Sequence, residues 1–176
     1  MSSISRRALF CSTVKATGAL AAASALAACT ATTSGGTTTY TVNVAKLLSI
    51  ISSIEAGLTE IATSATVTGI IGAANVTKLT AAISSVSDVT AQVAATAAST
   101  VSLTVAQSWI ATAESAVEAA IGILQDFQSV LPSQANLIIQ AVAALLPALE
   151  ALIGAVSASA TTLSPAQAQN IIAQGL

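Results

Sequence analysis

The chain has 176 residues, 54% of them hydrophobic and 7% charged, with a net charge of −2 and no histidine. Five basic residues against seven acidic ones argue against docking on nucleic acid or on anionic lipid. Aromatic residues make up 2%, too few for platforms that stack bases or sugars.

The N-terminus carries the most specific pattern. Ser5-Arg6-Arg7-Ala8-Leu9-Phe10 sets two arginines ahead of bulky apolar residues. A weakly apolar run follows from Thr17 to Ala28, mostly alanine, with Leu20 and Leu26 its large residues. It is shorter than the ~20 apolar residues a bilayer span needs and matches a signal-peptide core. The run ends in Leu26-Ala27-Ala28-Cys29.

The first pattern resembles the twin-arginine export motif of bacteria, with Cys11 where a lysine often stands. Leu26-Ala27-Ala28-Cys29 resembles a lipobox, the processing site of bacterial lipoproteins. The resemblance implies removal of residues 1–28, diacylglyceryl transfer to the Cys29 thiol and acylation of the freed amine. Two or more chains anchor stably, at ~0.8 kcal/mol per buried methylene. Thr30, in place of an aspartate after the cysteine, points to the periplasmic side of the outer membrane rather than the inner. Ala25-Leu26-Ala27 also fits an ordinary secretory cleavage site. Twin-arginine export moves folded proteins, so the domain is expected to fold in the cytoplasm without disulfides. The resemblance covers the signal alone.

Without residues 1–28 the chain keeps 148 residues, enough for one domain with a core. Lys46 and Lys78 then stand against Glu55, Glu60, Asp88, Glu114, Glu118, Asp126 and Glu150, two minus seven, or −5. Cys11 leaves with the signal and Cys29 is acylated, so no disulfide forms.

Along the rest of the chain, residues 29–40 read as the lipidated cysteine and a Thr/Ser/Gly tether with Gly35-Gly36 inside it. Residues 41–176 read as a helical domain. The spacing of Val44, Leu47, Ile51, Ile54, Leu58 and Ile61 predicts a helix over about 42–62. The mixed segment 63–72 is expected to hold a turn. A second helix is predicted over about 73–98, with Val76, Leu79, Ile83, Val86 and Val93 on one face. A third runs over about 104–131, its inner stripe being Ile110, Ala113, Val117, Ile121, Leu124 and Phe127 or Gln128. Leu131-Pro132 ends it, because proline disfavours helical geometry in the residue before it.

A fourth helix is predicted over about 133–157, with Ile138, Val142, Leu145, Leu149, Leu152 and Val156 inward and a kink at Pro147. Ser164-Pro165 marks the start of a short last helix bearing Ile171 and Ile172. The expected fold is all-α, an up-down four-helix bundle with a short C-terminal fifth helix.

The fourth helix also has the length of a membrane span. Its large apolar residues over 137–156 supply roughly −3 to −6 kcal/mol toward insertion, and one acid costs roughly +2.5 to +3.5. Gln140, Glu150, Pro147 and Gly154 bring the sum near zero. Clustering of the large residues on one face favours a bundle.

Chemistry is sparse. Glu114 and Glu118, four apart, share a helix face, but di-metal sites in bundles add a Glu-x-x-His motif and this chain has no histidine. They read as a solvated face. A serine nucleophile lacks a histidine base, and neither Lys46 nor Lys78 sits in a recognisable Ser–Lys motif. Gly69-Ile70-Ile71-Gly72 lacks the spacing and lysine of a phosphate loop, and Trp109 reads as core or bundle edge. The expectation is therefore no catalytic residue, no cofactor and no metal. The expected role is structural or interactive, with the membrane as one partner and another copy or an envelope protein as the other. The alternative is a membrane-active helical protein that inserts and oligomerises, as pore and lysis proteins do.

Overall fold

The computed structural model describes residues 29–34, 37–153 and 165–175, with side chains over 40–153 and 167–175. Among the described residues the protein is mostly helical, with six helices packed together and a small sheet. The signal residues Arg6, Arg7, Leu26, Ala27 and Ala28 lie outside the described residues, as do Gly35-Gly36, Val156 and Ser164.

Two strands open the described chain. β1 (Cys29–Ser34) pairs antiparallel with β2 (Thr37–Asn43), and β2 pairs antiparallel with β3 (Thr100–Ser102). The register sets Cys29 opposite Val42 and Val42 opposite Val101. The stretch expected as a spacer, residues 30–39, thus carries most of β1 and the start of β2. The same β-branched threonines that read as a polar tether also suit an extended, paired backbone. Val42 of β2 is fully buried and ties the sheet to the core.

Helix α1 (Val44–Thr63) starts where the Asn43 side chain accepts the Lys46 backbone N–H at 3.0 Å. Val44, Leu47, Ile51, Ile54, Leu58 and Ile61 are all buried, as their spacing predicts, and Ile50 and Gly57 join them. The expected turn over 63–72 contains a helix instead. α2 (Ala65–Ile71) is capped by Ser64 and buries Val67 and Ile71. Its seven residues are too few to stand alone, so packing of those two side chains stabilises it. Gly72, at φ +78°, turns the chain through 117° into the next helix, a conformation that only glycine adopts cheaply.

Helix α3 (Ala73–Ala94) buries Leu79, Ala82, Val86, Val89 and Val93 and keeps Val76 and Ile83 half-buried. It ends four residues before the predicted Ala98, and the chain then extends into β3. Helix α4 (Leu103–Gln125) buries Ile110, Ala113, Val117, Ile121 and Leu124 as expected.

Residues 126–131, expected to continue α4, form turns. Phe127 N–H donates to Leu124 O and Val130 N–H to Phe127 O, and the Asn136 side-chain amide donates to Gln128 O at 3.0 Å. Tightened bonds close the chain after α4, and Asn136 supplies Gln128 O with the donor that Pro132, lacking an N–H, cannot give it.

Helix α5 (Ser133–Leu152) runs on through Pro147 and buries Ile138, Val142, Leu145, Leu149 and Leu152. It is long and apolar enough to cross a membrane, and more than half of that window is buried inside the fold. Helix α6 (Pro165–Gln174) buries Ala168 and Ile172. α3 lies along α1 and α4, α5 lies along α1 and α6, and the contact between α4 and α5 is shorter. Gly57 marks the tightest approach: a Cβ there would stand 3.0 Å from Val142 Cγ2 and 3.2 Å from Ile172 Cγ1.

Candidate functional site

Among the described residues, two places beside α4 bring polar side chains together. The first is an open groove of about 650 Å³ between α3 and α4. Ala81, Ala82 and Ser85 from α3 face Ala111, Ser115 and Ala119 from α4, with Lys78 at one end. The side chains are small because both helices carry alanine or serine at these positions, and that lets the two axes run close. The hydroxyls are largely turned back on their own helices. Ser85 Oγ donates to Ala81 O at 3.3 Å, and Thr112 Oγ1 donates to Ser108 O at 3.0 Å. Lys78 adds a positive charge at the rim beside these back-bonded hydroxyls.

At the other end of the same helix pair, the Trp109 indole N–H donates to Gln92 Oε1 at 3.1 Å. The bond is exposed while the Trp109 ring is partly buried against the core, which places Trp109 at the edge of the helix pair, one of the two places expected for it.

The second place is a set of three carboxylates. Glu114 and Glu118 come one turn apart on α4, and Glu150 of α5 adds its charge to theirs. Glu118 is exposed, while Glu114 and Glu150 are half-buried. One oxygen of Glu114, Oε1, is buried without a hydrogen-bond partner. Burial, then the negative charges of Glu150 and Glu118, raise the Glu114 pKa from 4.5 to about 7.

The solvated face expected for Glu114 and Glu118 therefore holds for Glu118 alone. Helical spacing pairs the two glutamates, but it carries no sign that α5 covers one of them. Glu150 drew notice in the sequence only as a charge that opposes membrane insertion. Its place beside Leu149 and Leu152, on the flank of a buried seam, is the signal that it lies near a neighbouring helix.

Among the described residues no group of three or more acidic, cysteine or histidine side chains is arranged to hold a metal ion. Cys29, the expected lipidation site, is the first residue of β1. Comparison with known protein families, with characterised proteins and with solved structures returns no match.

Proposed function

We propose that the protein is a lipid-anchored, non-enzymatic helical domain of the bacterial envelope with a structural or protein-interaction role. The observation that carries this reading is Leu26-Ala27-Ala28-Cys29 at the end of an apolar run behind Arg6-Arg7. Acylation of Cys29 holds the protein on the periplasmic face, and Thr30 directs it to the outer membrane. The absence of histidine throughout the sequence supports a role without acid–base catalysis. The small exposed side chains of the α3–α4 groove support close contact with another helical surface, from a second copy or an envelope protein.

Within residues 41–176 we read α1, α3, α4 and α5 as an up-down four-helix bundle with α6 as its short extra helix. The close pairs α1–α3, α3–α4 and α1–α5 support that arrangement, as does the bond from the start of α4 to the end of α3.

Intact mass of the protein from native membranes tests the anchor. The expected species begins at Cys29 and carries acyl mass. A species beginning at Ala28 with no added mass, or a Cys29→Ala protein that still partitions wholly into membranes, refutes it.

A second reading, a membrane-active protein, is favoured by one observation: α5 has the length and apolarity of a span. Dye release from liposomes separates the two. The anchored domain gives none, and an inserting protein gives release that rises with dose.

A further inference from the structure

The sheet holds Cys29 against the body of the domain. Cys29 pairs with Val42, and Val42 pairs with Val101, so the three lie in one row across the strands. Neighbouring strands stand about 4.8 Å apart, which puts the Cys29 backbone about 10 Å from that of Val101. The middle of the row is fixed: Val42 is fully buried, Asn43 caps α1, and the Val44 N–H donates to Ser99 O at 3.0 Å. The row therefore sits where α1 and α4 begin and α3 has just ended. Residues 30–39 as a free coil would let the domain wander roughly 16–19 Å from its anchor. With Cys29 itself in the ladder, that slack is gone.

This end of the domain also suits a lipid surface. Residues 29–45 and 89–113 contain no charged side chain, and the two stretches meet here. Along the helices the first charges are Lys46 in the opening turn of α1, Asp88 about 9 Å back along α3 and Glu114 about 16 Å along α4. Charged groups pressed toward an apolar layer lose hydration at high cost, whereas short hydroxyl and methyl side chains lose little. The exposed side chains here are short: Ala97, Ala98, Ser99, Thr100 and Thr104. Val105, in the first turn of α4, is 41% exposed. Trp109, about 9 Å along α4, packs part of its ring against the core and turns its N–H to Gln92 in an exposed bond. A ring with an apolar body and a polar edge is enriched where membrane meets water.

We propose that this end, residues 95–105 together with the Cys29–Val42–Val101 row, lies directly on the lipid surface, with the helices standing away from it. The inference rests on the acylation of Cys29 proposed above. The acyl chains fix the cysteine in the bilayer, and the sheet fixes the domain to the cysteine. The contact is therefore oriented, and the turn over 126–132, at the other end of α4, is presented to the periplasm. Because the surface is uncharged, it takes zwitterionic phospholipid, and salt does not weaken it.

Reporters at the two ends of α4, about 33 Å apart, test this. The mature protein is purified from native membranes and reconstituted in phosphatidylcholine vesicles whose headgroups carry a nitroxide quencher. Val105 and Val130, both exposed, are labelled with a fluorophore as Val105→Cys and Val130→Cys. Cys11 has left with the signal and Cys29 is acylated, so the new thiol takes the label. Quenching at position 105 is expected to exceed that at position 130 by roughly threefold or more, given the length of α4. A spacer of about eight Gly/Ser residues inserted between Cys29 and Thr30 should bring the ratio near one while the protein still floats with the vesicles. Three results overturn the oriented contact and leave the anchor standing: equal quenching at the two positions, stronger quenching at position 130, or a ratio that the spacer leaves unchanged. Protein that carries no acyl mass, or does not float with the vesicles, overturns the anchor and this contact with it.

Discussion

Replacing Gly57 with alanine sets two well-measured effects against each other. In an isolated helix alanine is better than glycine by about 1 kcal/mol. At Gly57 the added methyl carbon would stand 3.0 Å from Val142 Cγ2, 3.2 Å from Ile172 Cγ1 and 3.3 Å from Ile138 Cγ2. Carbon atoms rest at about 3.5–4.0 Å, so three neighbours have to retreat by several tenths of an ångström together. All three belong to β-branched side chains, which have one preferred χ1 in a helix. The side chains cannot swing away, so α5 and α6 have to shift as bodies.

Overpacking of this kind costs about 1–3 kcal/mol. Set against the gain in propensity, Gly57→Ala is expected to destabilise the domain by about 1 kcal/mol. Urea unfolding followed by fluorescence of Trp109, the one tryptophan, measures it. In a Val142→Ala background the closest contact is gone, and the same substitution should be neutral or stabilising by up to about 1 kcal/mol. Stabilisation of the wild type by about 1 kcal/mol, with no difference between backgrounds, would refute the close approach of α1, α5 and α6.

The remaining predictions concern charge, a turn and the two sides of α5. Glu114 has a raised pKa, about 7 in the folded protein against 4.5 without burial, so the folded state binds its proton more tightly. Stability should fall as pH rises between those values and stay level above; Glu114→Gln should remove about 1–2 kcal/mol of that slope in urea titrations at pH 5 and pH 8, after discounting for solvent. Asn136 donates to Gln128 O and Leu131 O, and Asn136→Asp replaces that donor with a charge beside two carbonyls. It should cost about 2 kcal/mol at pH 7 and raise exchange in the turn over 126–132. Leu145 is fully buried and Leu137 is 47% exposed on the same helix. Leu145→Ala should cost about 2–5 kcal/mol and Leu137→Ala less than about 1; equal costs would indicate that α5 does not pack against the core.

The helices were largely legible in the sequence because burial in a helix repeats every three or four residues. Leu47, Ile51, Ile54, Leu58 and Ile61 carry that repeat, and each is buried. The same repeat located the buried face of α5 through Ile138, Val142, Leu145 and Leu149. The proposed export and anchoring signals at Arg6-Arg7 and Leu26-Ala27-Ala28-Cys29 likewise rest on the sequence alone, because the machinery that reads such signals acts on linear sequence.

What escaped is what depends on partners distant in the chain. Seven residues of α2 hold their shape through contacts of Val67 and Ile71 with the core, so their own propensities gave no helix. β3 has three residues, and it exists because β2, some 60 positions earlier, supplies its hydrogen bonds. α4 ends at Gln125, and Asn136 reaches back to donate to Gln128 O, the carbonyl that Pro132, four residues on, has no N–H to bond.

The candidate site divides along the same line. That Glu114 and Glu118 share a face follows from helical geometry. That Glu114 loses solvent on one oxygen and gains the charge of Glu150 follows from the placement of α5. Periodicity determines which residues of a helix face inward. Only the packing of one helix on another decides which groups at the edge of that face keep their water.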